Sequence, residues 1–189
     1  MNIFKKIFFI YLLFFCHTSK SIEIISIVKI NENTITNIDL MKEVKFLETL
    51  NGRKINEKNK INILQNMIDE KIKYLETQKN NISVNKKIVE ERVNFNIEKY
   101  NDDIKNSKEI LNYIKKKIEI SMKWNALITS LYARKLEINT NEIKEIVNSK
   151  KKVTNEEDVI RLEKEKKINI LSKTYFNEVK KNYYIKYNR

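Results

Sequence analysis

The chain has no proline, one glycine, one cysteine and one histidine. Without proline, and with Gly52 alone to loosen the backbone, little stops a helix once it starts, so long helices with few tight turns are expected. Cys16 and His17 stand side by side in a segment that reads as an export leader. Lys5 and Lys6 form a short basic region, Ile7 to Cys16 is an unbroken apolar run, and Thr18, Ser19 and Ser21 follow. That is the order of a secretory signal peptide, and the run is too short to cross a bilayer comfortably. Cleavage after Ser21 is expected, with cleavage after Thr18 as the alternative. Lipidation of Cys16 is opposed by Phe15, which stands where that processing wants a small residue. An uncleaved inner-membrane anchor is the remaining alternative.

Removal of residues 1–21 takes away the only cysteine and the only histidine. A disulfide, a Cys/His zinc site, a cysteine nucleophile and a histidine base are then all excluded. Carboxylates remain, but no pair stands apart from the solvated helix faces around it, and no glycine-rich loop is present to cradle a phosphate. No metal, no cofactor and no enzyme activity are expected. The formal charge of +13 comes with a bias to Ile, Lys and Asn along the whole chain. So even a bias points to composition rather than to a basic patch, and an exported protein rarely meets nucleic acid. The charge is expected to give solubility and weak attraction to a membrane surface or to acidic segments. Lys115-Lys116-Lys117 and Lys150-Lys151-Lys152 read as solvated faces.

Ile22 to Ile30 is rich in β-branched residues, with Ile24, Ser26, Val28 and Ile30 on one side. Asn31-Glu32-Asn33 supplies a turn and Thr34-Ile35-Thr36 a return strand. Thr36 and Asp39 have the spacing of a capping box, opening a helix over 37–50 with Leu40, Val44 and Leu47 on one face. A polar stretch over 51–59 leads to a helix over 59–79 with a stripe of Ile61, Leu64, Ile68, Ile72 and Leu75. Asn80-Asn81-Ile82 breaks it. Ser83 is placed to cap a helix carrying Val89, Val93, Ile97 and Tyr100, and residues 101–107 form another break. A long helix is expected over 107–136, bearing Leu111, Ile114, Ile118, Trp124, Leu127 and Leu131. Asn139 and Glu142 suggest a short helix to Asn148. Residues 149–158 read as a charged linker, 156–181 as a helix with Leu171, Tyr175 and Val179, and 183–187 as a strand. A two-stranded hairpin is marginal alone, so this last strand is its natural third partner.

Three motifs, Asn31 to Asp39, Met67-Ile68-Asp69-Glu70-Lys71 and Asn81-Ile82-Ser83-Val84, resemble in order and spacing the N-terminal domain of SurA-type periplasmic chaperones. The segment Ile118 to Arg134 with Leu136-Glu137-Ile138 is similar to that family's long helix and exit segment. The resemblance covers roughly 22–147, and Glu163 to Tyr187 looks like the family's C-terminal helix and strand. Between them the family normally carries parvulin-type prolyl isomerase domains, and here only the charged segment 149–158 intervenes. The resemblance implies a mainly α fold: a helical SurA N-terminal-like domain with a small antiparallel sheet made by an N-terminal hairpin and the C-terminal strand. Its parts would be a leader (1–21), the chaperone domain (22–148), the linker (149–158) and a C-terminal helix and strand (159–189) that complete the same domain. It also implies an ATP-independent holdase in the periplasm, binding unfolded outer-membrane or secreted polypeptides without isomerase activity.

Candidate client-binding side chains are Phe46, Tyr74, Trp124, Leu127, Tyr132 and Tyr175. For Trp124, Tyr132 and Tyr175, packing in or at the edge of the core is the commoner fate of such aromatics, whereas exposure of Phe46 and Tyr74 is open. Tyr183, Tyr184 and Tyr187 read as closing the sheet. A non-catalytic scaffold or membrane-associated subunit holding one folded partner is the competing assignment.

Overall fold

The computed structural model describes residues 23–137 and 155–188. The chain begins with a hairpin of β1 (Ser26–Ile30) and β2 (Asn33–Thr36). Its turn places Asn31 at φ 49°, a left-handed conformation that asparagine tolerates better than most residues. The same Asn31 receives the returning C-terminus: its Oδ1 accepts from the Tyr184 amide at 2.9 Å and its own amide donates to the Tyr184 carbonyl at 2.9 Å. β3 (Ile185–Tyr187) thereby pairs antiparallel with β1, placing Val28 opposite Tyr187 and Ile30 opposite Ile185, in a three-stranded sheet ordered β2-β1-β3. The expected union of hairpin and terminal strand is observed, although β3 starts two residues later than expected because Asn182 and Tyr183 still finish the helical turn.

The expected strand is shorter at its start as well. Val28 and Ile30 are fully buried, but Ile24, assigned to the same face, is 72% exposed. The register shifts between Val28 and Ser26, the ladder closes on the Ser26–Thr36 pair, and Asn37 clips the preceding residues, accepting from the Ile25 amide and donating to the Glu23 carbonyl.

α1 (Asn37–Asn51) opens on the expected capping box: the Asp39 amide donates to Thr36 Oγ1 at 3.2 Å and the Thr36 amide to Asp39 Oδ2 at 2.9 Å. It closes at Gly52, whose φ of 65° suits a residue without a side chain. α2 (Glu57–Lys79), capped by Asn56, begins two residues before its expected start. Its inward stripe is Ile63, Ile68 and Ile72, and Ile61 is 71% exposed while Ile63 is 8%. α3 (Lys86–Ile97) is capped by Asn85 rather than Ser83, because Asn81 at φ 52° sends the chain through residues without helical structure before the helix begins. The expected break at 101–107 contains one short helix, α4 (Asp102–Asn106), which buries Ile104. α5 (Lys108–Leu131), capped by Ser107, ends five residues early. The chain tightens at Tyr132 into a 3₁₀ turn (Ala133–Leu136) that buries Leu136 and leaves Leu131 exposed. The helix expected to reach Asn148, the lysines 150–152 and most of the linker lie outside the described residues. Asn155 caps α6 (Glu156–Lys180), so the linker's last residues belong to the helix.

The fold is mainly helical with one small antiparallel sheet, as expected. The sheet's inner face, Val28, Ile30 and Ile35, packs on Ile68 and Ile72 of α2 and Val179 of α6. Val89 and Val93 of α3 pack on Ile114 of α5. Trp124, Leu127 and Ile128 of α5 pack with Ile168, Leu171, Tyr175 and Phe176 of α6. Among the described residues, no helix is long and apolar enough to cross a membrane.

Candidate functional site

Three helices leave an open cleft of about 620 Å³ below β2. Each lines it with residues spaced i, i+3, i+4, i+7: Asp39, Lys42, Glu43 and Phe46 of α1; Met67, Glu70, Lys71 and Tyr74 of α2; Glu109, Asn112, Tyr113 and Lys116 of α5, which adds Lys117 and Ile120 a turn later. That spacing puts one face of each helix into the cleft. Its aromatic surface is built from Phe46 stacked on Tyr113, ring centroids 4.3 Å apart and planes 20° from parallel. Tyr74 stands on the facing helix, with Lys71 Nζ 5.4 Å from its ring centre.

A polar clamp holds the three helices at this spacing. Lys117 Nζ donates to Glu43 Oε1 at 2.8 Å and to Glu70 Oε2, and the Tyr113 hydroxyl donates to Glu43 Oε1 at 2.9 Å. The lysine run 115–117 is thus not simply a solvated face: Lys117 is half-buried between two carboxylates, and Lys115 reaches Glu90 of α3. Burial, and next the Glu43 charge, push the Tyr113 phenol well above the ordinary tyrosine range.

Of the six candidate residues, Phe46 and Tyr74 meet in this cleft. The other four gather elsewhere, at the α5–α6 contact. Trp124 is 3% exposed, donates from Nε1 to Ser172 Oγ at 2.7 Å, and has Tyr175 and Phe176 ring centres 5.7 and 6.0 Å away. Leu127 is buried with it. Both are interior, which corrects the expectation that they offer surface to a client: α6 already covers that face of α5. Tyr132 is half-buried with its ring edge-on to Tyr175. A second hollow, lined by Leu136, Ile160 and Ile168 among others, adjoins the point where the chain leaves the described residues.

Glu76 escaped the reading of the sequence. It is 5% exposed and accepts from the Tyr175 hydroxyl at 3.1 Å, the Tyr183 hydroxyl at 3.0 Å and Asn80 Nδ2 at 3.2 Å. One carboxylate on α2 thus holds the C-terminal part of α6 and the entry to β3, and Lys180 adds a 2.7 Å pair to Asp69. Tyr183 belongs to this bond network rather than to the sheet, while Tyr184 and Tyr187 are largely exposed.

Burial raises both phenols and their bonds to Glu76 raise them further, Tyr175 to about 12 and Tyr183 higher still. A raised phenol favours the fold while it is neutral. That stability is complete below the ordinary tyrosine value near 10 and is lost as pH climbs through the folded values, a window opening near 10 and running to about 12 and beyond. Thermal melts are therefore expected to fall steeply across this alkaline window. Tyr183→Phe, which removes one of the titrating groups, should flatten the fall.

Among the described residues, no group of His, Cys, Asp and Glu side chains is arranged to hold a metal ion. No protein-family model matches the chain, and no curated protein matches it.

Proposed function

We propose that the chain is an ATP-independent periplasmic chaperone, exported by a cleaved leader, that holds unfolded outer-membrane or secreted polypeptides and does no chemistry on them. The observation that carries this reading is the open cleft between α1, α2 and α5, with the Phe46–Tyr113 stack and Tyr74 on its surface. Strands of an unfolded β-barrel alternate apolar and polar residues and are rich in aromatics, and a cleft alternating aromatic rings with charged side chains suits them. The pairing of β3 with β1 supports the resemblance to SurA-type chaperones, since the C-terminal segment completes the N-terminal sheet as that family's does. Apolar burial is worth about 25 cal/mol per Å², so a contact of a few hundred Å² leaves only a few kcal/mol after association costs. That corresponds to binding in roughly the micromolar range, weak enough for release without ATP.

The test uses the chain from Ile22 onward, which retains every described element. It should keep a urea-denatured outer-membrane barrel from aggregating on dilution, with less effect on a soluble control protein, and it should not accelerate prolyl-peptide isomerisation. Isomerase activity would overturn the non-enzymatic assignment. Failure to protect the barrel would move the assignment to a scaffold with one folded partner.

A further inference from the structure

The charges in the cleft are unequally committed. Asp39 and Glu109 lie in the first turns of α1 and α5, where carboxylates offset the exposed amide ends, and Asp39 also closes the cap with Thr36. Glu43 and Glu70 are both held by Lys117. Every cleft carboxylate therefore has a task within the fold. Lys42, Lys71 and Lys116 have no carboxylate within ion-pair distance among the described residues. Lys71 on α2 and Lys116 on α5 line the same cleft; after burial, the charge of Lys116 is the next cause lowering the Lys71 ammonium from its ordinary value, with Asp39 only partly opposing. An anion between them would relieve that repulsion, and the Phe46–Tyr113 stack and Tyr74 line the same cleft.

We infer that the cleft is a seat for acidic, aromatic-bearing peptide segments, in which a client carboxylate bridges Lys71 and Lys116 while a neighbouring aromatic or apolar side chain packs against Phe46, Tyr113 and Tyr74. The inference rests on the holdase reading and narrows it: the chaperone selects unfolded segments in which an acidic residue adjoins an aromatic one. Lys42, at the rim on α1, adds to the attraction without touching the bound carboxylate.

The test is fluorescence anisotropy with labelled twin peptides, one carrying phenylalanine beside aspartates and the other with lysines in their place. The aspartate peptide should bind about tenfold more tightly at low salt, and the gap should narrow as salt screens the lysines. Lys71→Gln and Lys116→Gln should each weaken the aspartate peptide by about fivefold and should not weaken the lysine peptide. The double variant Lys71→Glu/Lys116→Glu should reverse the preference. A thermal melt establishes that each variant is folded, and the Gln variants decide the matter should the Glu variant not fold. Equal affinity for the twins, or a preference that survives both Gln substitutions, overturns the inference. Aggregation suppression by the same wild-type preparation separates the two levels. Suppression without acid preference sinks this inference alone, whereas absence of both suppression and peptide binding sinks the holdase reading with it.

Discussion

Replacing Trp124 by alanine is expected to remove about 3–5 kcal/mol of folding stability, a large share of the 5–15 kcal/mol that holds a typical domain together. The expectation follows from what surrounds the ring. The side chain is 3% exposed, it stands against Tyr175 and Phe176, and its indole N–H donates to Ser172. Truncation opens a cavity at the α5–α6 contact and leaves the Ser172 hydroxyl without its donor. Because Ile168, Leu171 and Phe176 close over the same site, the helices cannot collapse into the gap without losing contacts elsewhere. Urea unfolding followed by far-UV circular dichroism measures the loss. Phe46→Ala, at a half-buried position in an open cleft, should cost much less stability while weakening client binding. The opposite pattern, with Trp124→Ala nearly as stable as wild type but poor at holding clients, would return Trp124 to the surface.

The second large effect is expected at Glu76. Its carboxylate accepts from two phenols that reach it from the far end of the chain. Glu76→Ala leaves both half-buried hydroxyls without that partner, while Asn80 Nδ2 keeps its 2.8 Å bond to the residue-76 carbonyl. At about 1–3 kcal/mol for each orphaned hydroxyl, the loss should reach at least about 2 kcal/mol. It should also be localised. Beyond the packing of α6 on Trp124, the end of α6 and β3 are tied to α2 and the sheet by this carboxylate, by the Lys180–Asp69 pair, by Val179 in the sheet core and by a short ladder on β1, so amide exchange should accelerate in 170–188 before it does in α2 or α5. Glu76→Gln, which keeps one acceptor oxygen and offers an N–H to the other phenol oxygen, should recover part of the loss. Uniform acceleration across the chain would contradict the account of Glu76 as the clasp of the C-terminal segment.

Elements governed by local chemistry were legible in the sequence. The Thr36–Asp39 box, the Asn31 turn, the Asn80–Asn81 break and the helical periodicities fall where residue types and spacing put them. Faces decided by a partner element were harder to read. On α2 the sequence offers Ile61 and Ile63 as equivalent apolar residues, and only the tertiary packing turns Ile63 in and Ile61 out. On α5 the stripe through Trp124 looks the same whether it meets a client or α6. Residues 156–181 read as a helix, but nothing in their spacing says which groove they fill. The cleft is half visible in the sequence: Phe46 and Tyr74 are candidates there, Lys117 reads as part of a solvated face, and Tyr113 and Glu43 carry no assigned role. Their signal is a mixed aromatic and charged stripe at i, i+3, i+4, i+7 that recurs on three helices beside the stronger apolar stripe. Glu76 carried a plainer sign, since Ile68, Ile72 and Glu76 are successive i+4 neighbours and the carboxylate therefore continues a buried stripe.

The most direct measurement of the central claim is light scattering from a urea-denatured outer-membrane barrel diluted into increasing amounts of the chain from Ile22. The account predicts scattering that falls progressively and is abolished at severalfold excess, without ATP, and a weaker effect from Phe46→Ala at every ratio. Undiminished scattering at that excess from a folded wild-type protein would contradict it.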